Sequence, residues 1–281
     1  LCGRVRMGAT AERLRRDSGM ILLKLGGGAT LNLAGAADDL AALSQPCVVV
    51  HGANALRDEL AQKLGVDRRT LISVSGISSV YTDDDALDVM LMAYSGLRNK
   101  RLVELLQMRG VNAVGLTGLD GRSVQGRRNR GIRVQEGAKQ RMVHDQSGKP
   151  QSAGPLIGTL MEHGYTPVLT VPIADEDGRA INAENDDVVA VLQAALGAET
   201  VVHLIEAPGF LADPTDPTSL LREIPRADLE RREAAVDGRM KRKMMAIRRL
   251  FEGGAREVRI ADGRTAHPLR DALAGSGTLI R

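Results

Sequence analysis

The apolar residues of the chain fall into short continuous runs separated by longer amphipathic stretches. Ile21–Leu23 and Val48–Val50 are uninterrupted apolar runs, which are typical of strands covered on both faces. Between them, Ala36–Leu43 has the pattern of a helix, so the first part of the chain predicts a β–α–β unit. Asp84–Leu106 carries leucines at helical spacing and predicts a long helix that could also form a dimer face.

The same alternation of strands and helices continues to the end of the chain. The later predicted strands are 113–116, 167–171, 200–204 and 257–260, and the later predicted helices are 155–163, 187–196 and 241–251. Repeated β–α units predict an α/β protein, a three-layer αβα sandwich with a mainly parallel sheet between the helices. Such sheets bind ligands beyond the carboxyl ends of their strands, so residues that directly follow strands are candidates for chemistry.

Composition excludes several classes of partner. The 281 residues are 43% hydrophobic and carry a net charge of +3, as in an ordinary soluble globular protein. Aromatic residues make up 2% of the chain, which argues against modules that stack on nucleic-acid bases, and no apolar run approaches the ~20 residues that span a bilayer. From these two observations we expect neither nucleic-acid nor membrane partners. Cys2 and Cys47 cannot build a disulfide framework, so we expect a cytoplasmic protein.

Residues 1–19 stand apart from this pattern. They are rich in arginine but lack the apolar core of a secretory signal, and Glu12 and Asp17 interrupt the basic run that a transit peptide needs. We expect either a disordered extension or an over-called start with Met20 as the natural first residue, and one folded domain over residues 20–281.

Glycine-containing turns follow the first two predicted strands. The first strand runs into Lys24-Leu25-Gly26-Gly27-Gly28, and the second ends in His51-Gly52-Ala53-Asn54. Glycines let backbone N–H groups approach phosphate oxygens without interference from Cβ, and Lys24 adds a positive charge. The spacing is neither that of a Walker A loop nor that of GxGxxG. For either segment taken alone, a tight strand-to-helix turn explains the glycines as well as a phosphate site does.

Two charged segments open predicted helices later in the chain. Residues 180–187 (AINAENDD) place carboxylates at a helix start, where capping is one explanation and the orientation of ammonium groups another. Residues 238–244 (GRMKRKM) place lysines at a helix start, against the helix dipole. A bound polyphosphate would offset that local cost, whereas a solvated basic end needs no ligand.

Together these segments resemble the amino-acid-kinase family, in its acetylglutamate-kinase branch. The matching pieces, in family order, are Lys24–Gly27, His51-Gly52, Gly96–Val103, Gly115–Gly121, Asn182…Asp186, Ala207–Leu211, Gly238–Lys243, Ala261–Arg264 and Gly275–Thr278. Each is weakly specific alone, but jointly they cover the chain from Met20 onward. The resemblance implies a carbamate-kinase-like fold, with an acceptor-binding lobe over about residues 20–172 and an ATP-binding lobe over about residues 173–281.

Within that branch the chain most resembles the LysW-dependent aminoadipate kinases. These enzymes phosphorylate 2-aminoadipate or glutamate whose amino group is masked by a small acidic carrier protein. The Gly238–Lys243 segment has the form found in the carrier-dependent enzymes, and the segment after Asp262 lacks the Leu-Phe-Thr element of acetylglutamate kinases. An acetylglutamate kinase of arginine synthesis and a weakened, nucleotide-binding regulatory protein remain the alternatives.

The resemblance also implies roles for individual residues. Lys24 and Lys243 would flank the transferring phosphoryl group of ATP, and Asp186, in preference to Glu184, would hold both lysines. The N–H groups that approach the phosphates would come from Gly26, Gly27 and Gly52. Magnesium would be bound mainly by the phosphates, with no metal site of the protein's own.

The acceptor side departs from the family pattern. The resemblance assigns substrate binding to Gly52, Ala53, Val80 and Asn182. The family usually has an arginine for the acceptor's α-carboxylate at the position of Val80, and valine cannot bind a carboxylate in that way. Another base (Arg57, Arg68 or Arg69) would have to replace it, or the substrate differs, or activity is reduced.

An arginine-rich stretch lies between residues 122 and 149, where we expect one or two surface hairpins. Its basic residues outnumber the acidic ones in 122–141, and a solvated hairpin would explain this excess. The resemblance favours a docking face for the acidic carrier. The candidate docking residues are Arg127, Arg128, Arg130 and Arg133.

Overall fold

The computed structural model describes residues 19–281 except 75, 77, 137, 138, 214, 235 and 237. The expected extension over residues 1–19 therefore lies almost wholly outside the described residues. The strands are β1 (Ile21–Leu25), β2 (Cys47–His51), β3 (Thr70–Ile72), β4 (Ser78–Val80), β5 (Ala113–Gly118), β6 (Val124–Arg128), β7 (Ile132–Glu136), β8 (Lys139–Val143), β9 (Gly148–Ala153), β10 (Thr166–Ala174), β11 (Ala180–Ile181), β12 (Thr200–Ile205), β13 (Glu223–Ile224), β14 (Glu257–Asp262) and β15 (Thr278–Ile280).

The helices fill the connections between these strands, as the sequence predicts. They are α1 (Leu33–Ala41), α2 (Asn54–Leu64), α3 (Asp84–Met90), α4 (Asn99–Gln107), α5 (Leu156–Glu162), α6 (Asn185–Leu196), α7 (Leu229–Ala234), α8 (Gly238–Glu252) and α9 (Pro268–Leu273). A π-helical segment, Leu91–Arg98, joins α3 to α4, so the predicted long helix is present with a wider turn in its middle.

Most of the strands in the described part of the chain form one 11-stranded sheet in the order β13-β15-β14-β12-β1-β2-β10-β6-β9, with β5 and β11 also paired to β10. The central neighbours β14, β12, β1, β2 and β10 run parallel, whereas β15, β9 and β11 pair antiparallel with β14, β6 and β10, respectively. The prediction of an α/β protein with a mainly parallel sheet is confirmed.

Both faces of the sheet are buried, which explains the continuous apolar runs. On β1, Leu22 packs into one hydrophobic cluster, while Ile21 and Leu23 pack into a second cluster on the opposite face. Val49 of β2 joins the second cluster and its neighbours join the first. Successive side chains of a strand point to opposite faces, so helices on both sides require apolar residues at every position.

The arginine-rich stretch contains one separate hairpin of the one or two expected, and the rest of it joins the main sheet. Its outer strands β6 and β9 belong to the main sheet, and only β7 and β8 form a separate hairpin. A second small hairpin, β3–β4, leads to Val80. In the described residues no helix combines the length and apolar character needed to cross a membrane.

Candidate active site

The two glycine-containing turns meet at the carboxyl edge of the sheet. Parallel pairing puts Leu25 beside His51, and the Gly52 N–H donates to the carbonyl of Leu25 at 2.9 Å. A Cβ on Gly52 would lie 2.9 Å from the Cα of Gly27, and one on Gly27 would lie 2.7 Å from the backbone nitrogen of Asn54. These distances are shorter than real Cβ contacts, so the close approach of the two turns requires glycine at both positions.

Lys24 lies at the end of β1, just before the first glycine turn, and forms an ion pair with Asp186. The Lys24 ammonium donates to Oδ1 of Asp186, which lies in the first turn of α6. The lysine side chain is 12% exposed, so the pair is largely shielded from solvent. Glu184, the other acidic candidate, instead pairs with Arg242. The structure therefore brings Asp186, and not Glu184, to the lysine.

Lys243 of α8 completes a three-charge cluster. Burial opposes ionisation of Asp186, but the charges of Lys24 and Lys243, together with the neighbouring His203 ring, hold the pKa of that carboxyl well below its usual range. Burial, helped by the charge of Lys24 and opposed by that of Asp186, lowers the pKa of Lys243 to about 8. Lys243 makes no ion pair within 4 Å of any described residue. One carboxylate thus faces two lysine charges and pairs directly with Lys24, and a phosphate would supply the missing negative charge.

The residues assigned to acceptor binding fall into two groups, Asn182 with Val80 and Gly52 with Ala53. Asn182 donates from Nδ2 to Oγ1 of Thr82 at 2.9 Å, so it touches the segment that follows Val80. Val80 is half-buried at the end of β4, and Ala53 is fully buried at the start of α2. Asn182 and the segment after Val80 are therefore in contact, and the side chain of Val80 offers no polar atom.

The four arginines assigned to docking divide into two kinds. Arg127, Arg130 and Arg133 are exposed on β6, the following turn and β7. Arg128 instead binds Asp175, a carboxylate that is 2% exposed, through Nε at 2.9 Å and Nη2 at 2.8 Å. Although burial favours its neutral form, backbone N–H groups and Arg128 lower the pKa of Asp175. The Arg128 side chain therefore ties β6 to the turn between β10 and β11.

Two further side chains reach the site without having been singled out in the sequence. Arg98, in the π-helical segment, donates from Nη2 to the carbonyl of Gly28 at 3.1 Å, within the first glycine turn. His203 of β12 lies 3.6 Å from Asp186 through Nδ1. The sequence contained an indication of each residue. Arg98 falls within Gly96–Val103, one of the segments that resemble the amino-acid-kinase family, and His203 is the one polar residue in the run VVHLI. The positions of their side chains depend on packing between elements that are distant in sequence.

Within the described residues, no group of three or more His, Cys, Asp or Glu side chains is arranged to hold a metal ion. The donors that converge here are ammonium groups and backbone N–H groups. Such donors suit phosphate oxygens and not a cation.

Comparison with known proteins identifies the class to which this fold and site belong. The profile described as "Amino acid kinase family" matches residues 19–262, and the chain belongs to that family. Among solved structures, Giardia carbamate kinase superposes with a TM-score of 0.66 at 15% identity, over 94% of this chain and 99% of that one. An N-acetylglutamate synthase from Neisseria gonorrhoeae gives 0.74 at 20% identity, over 96% of this chain and 61% of that one. The predicted carbamate-kinase-like fold is confirmed.

Relatives of higher identity indicate the branch. The chain is 42% identical over 270 residues to the LysW-aminoadipate kinase of Thermus thermophilus, covering 93% of this chain and 100% of the relative. It is 38% identical to the LysW-aminoadipate kinase of Deinococcus radiodurans, over 93% and 91% of the two chains. It is 31% identical to the acetylglutamate kinase of Methanopyrus kandleri, over 93% and 100%. The protein is an ATP-using kinase of the kind that phosphorylates a carboxylate.

Proposed function

We propose that this protein transfers the γ-phosphate of ATP to the side-chain carboxylate of 2-aminoadipate or glutamate linked through its amino group to a small acidic carrier protein of the LysW type. The product would be an acyl phosphate, used in lysine or arginine biosynthesis in the cytoplasm. The observation that carries the proposal is 42% identity to a LysW-aminoadipate kinase along that relative's whole length. The buried Lys24–Asp186–Lys243 cluster beside two glycine turns supports the phosphoryl-transfer step.

Positioning and charge neutralisation account for the chemistry. A carboxylate is already nucleophilic, so the difficulty is to bring two anions together and to stabilise charge on the transferred group. Lys24 and Lys243 would flank that group, while Asp186 keeps their ammonium groups in place. Backbone N–H groups of Gly26, Gly27 and Gly52 would bind phosphate oxygens. Magnesium, bound mainly by the ATP phosphates, would neutralise part of their charge.

Binding of the two substrates would be divided along the chain, with the acceptor bound mainly by residues 20–172 and ATP mainly by residues 173–281. On the acceptor side we assign Gly52, Ala53, Val80 and Asn182. The contact between Asn182 and Thr82 supports this grouping, because it joins the start of the second lobe to the segment after Val80.

Arg57 is the base best placed to compensate for Val80. Its side chain is 13% exposed on the first turn of α2, and its backbone N–H donates to Ala53 at 2.8 Å. Arg69 stacks on Tyr81 with its guanidinium carbon 4.4 Å from the ring centre. Because neighbouring side chains of an extended segment point to opposite faces, Arg69, which lies on the face of Tyr81, is on the opposite face of the hairpin from the Val80 side chain. Arg68 is half exposed and pairs with Asp58, as Arg57 does.

The proposed acceptor is tested with a panel. The full chain, ATP and magnesium are combined with carrier-linked aminoadipate, carrier-linked glutamate, free N-acetylglutamate or no acceptor, and ADP release is followed. We expect turnover with a carrier-linked acceptor and a loss of roughly 100-fold or more in Lys243→Met, which removes a transition-state charge. Comparable efficiency with free N-acetylglutamate would establish the acetylglutamate kinase that the Methanopyrus relative suggests. ATP binding without turnover on any acceptor would establish the regulatory alternative.

The carrier would dock on the exposed arginines of the β6–β9 region: Arg127, Arg130 and Arg133, with Arg128 supporting them through Asp175. In the charge-reversal variant Arg127→Glu we expect the KM for the carrier-linked acceptor to rise about tenfold, with the KM for ATP unchanged. Arg231→Glu, at an arginine 75% exposed on α7, is the matched control. Equal effects of the two variants would contradict docking at this face.

A second copy of the chain would pack on the long helix. Met92 and Leu97 are 45% and 44% exposed there, which is unusual for large apolar side chains on neighbouring turns of one helix. The proposed homodimer is tested by analytical ultracentrifugation of the wild type and of Leu97→Glu. A wild-type monomer at micromolar concentration would refute it.

A further inference from the structure

His203 occupies an unusual place in the sheet. It lies in the middle of β12, is 1% exposed, and is the cross-strand neighbour of Lys24 on one side and Ile260 on the other. Neither of its ring nitrogens has a hydrogen-bond partner among the described residues. Buried polar groups are seldom left unpaired, because the lost hydrogen bonds to water are not replaced. An unpaired imidazole at this position therefore calls for a functional explanation.

The nearest acceptor for His203 is the carboxylate of Asp186. Nδ1 lies 3.6 Å from Oδ1, slightly beyond hydrogen-bond distance, and the same oxygen accepts from the Lys24 ammonium. In this arrangement Lys24 holds the carboxylate, and Nδ1 of His203 lies beside it without a hydrogen bond to any described residue.

The imidazole offers a donor without adding charge. Burial and the positive charges of Lys24 and Lys243, opposed by Asp186, lower the pKa of His203 to about 3. These three groups, on β1, α8 and α6, are the charged groups that act on the ring. A neutral imidazole carries one N–H and no net charge, so it can bind Asp186 without further repelling the two lysines.

We propose that His203 is a positioning residue for Asp186, and that its Nδ1–H donates to the carboxylate when Lys24 turns towards the transferring phosphoryl group. The Lys24 ammonium would then donate partly to the phosphate and less fully to Asp186. The carboxylate oxygen could therefore accept a hydrogen bond from a second donor. An approach of a few tenths of an ångström converts the present contact into a hydrogen bond. This inference rests on the proposed kinase function and concerns how its central carboxylate is held during transfer.

Three variants test the proposal by kinetics with whichever acceptor supports turnover. His203→Leu removes the donor, His203→Asn keeps an amide donor near the position of Nδ1, and Ile260→Val is a packing control on the adjacent strand. Since hydrogen bonds to charged groups are the stronger ones, we expect Leu to lower kcat about tenfold with the KM for ATP within about twofold. Asn should recover most of the loss, and Ile260→Val should keep kcat. Equal losses in Leu and Asn, or wild-type kcat in Leu, would overturn the proposal.

A spectroscopic measurement separates this inference from the identity of the acceptor. The ring nitrogens of His203 are observed by NMR in the full chain, with and without magnesium and a non-hydrolysable ATP analogue; His203→Asn assigns the signal among the five histidines. We expect a protonated Nδ1 whose proton shifts downfield and exchanges more slowly when the analogue binds. An analogue-bound state protonated at Nε2 refutes the proposal. Because no acceptor is present, the result stands even if the proposed acceptor is wrong.

Discussion

Removing the charge of Asp186 is the most direct perturbation of the site. Asp186→Asn keeps the size of the side chain but leaves Lys24 and Lys243 near each other without a counter-charge. Lys243 must be protonated to neutralise a phosphate, and its pKa is already lowered to about 8. In the wild type, activity should therefore fall as the pH rises through about 8. In the variant, the ammonium is less favoured still, so the fall should move to lower pH.

The size of the effect follows from the charge that Asp186 contributes beside Lys243. An opposite charge within a few ångströms changes the proton affinity of a neighbouring group by about 10- to 1000-fold, and we take about 100-fold for Lys243. At pH 7.5 the protonated fraction would then fall from about three quarters to about 3%, which lowers activity about 25-fold. Lower pH would restore part of this loss, because Lys243 would regain its proton.

The assay is kcat/KM for ATP between pH 6 and 9.5 in the wild type, in Asp186→Asn and in a control, Asp187→Asn. Asp187 is the adjacent carboxylate, but it binds Arg249 at 2.6 Å, and the charges that shift the pKa of Lys243 are those of Lys24 and Asp186. The control should keep the wild-type profile. If Asp186→Asn loses activity equally at all pH values, the charge coupling between Asp186 and Lys243 is refuted.

Three other substitutions have defined outcomes. Gly27→Ala would place a Cβ 2.7 Å from the nitrogen of Asn54, so we expect ATP affinity, measured by calorimetry, to fall about tenfold or more, and unchanged affinity would contradict the close approach of the two turns. Arg128→Ala leaves Asp175 buried and unpaired and should destabilise the fold by about 3 kcal/mol in denaturant unfolding, with the double variant Arg128→Ala/Asp175→Ala less affected. Val80→Arg restores a guanidinium beside the acceptor and should lower the KM for the acceptor; an unchanged KM would show that this position does not face the substrate.

The amino-acid sequence is sufficient to predict the class of fold, because the same pattern of apolar runs and amphipathic stretches repeats along the chain. Apolar runs such as Val48–Val50 require cover on both faces, and helical segments of the right length lie between them. The expected positions of the main strands and helices agree with the structure to within a few residues. The arginine-rich stretch was predicted less well, because the pairing of β6 and β9 with the main sheet is a long-range contact that no local pattern encodes.

Part of the site was also accessible from sequence, since glycines and lysines that directly follow strands must lie at the same edge of a parallel sheet. Tertiary structure alone decided which charges meet. Lys24 and Asp186 are far apart in sequence, and only the folded chain pairs Lys24 with Asp186 while Glu184 pairs with Arg242. It also decided that Arg128 binds the buried Asp175 while Arg127 remains exposed, and that His203 lies beside Asp186 with no hydrogen-bond partner in the described part of the chain. These outcomes depend on side-chain direction and on the register of neighbouring strands, which are properties of the packed sheet and not of any segment of the chain.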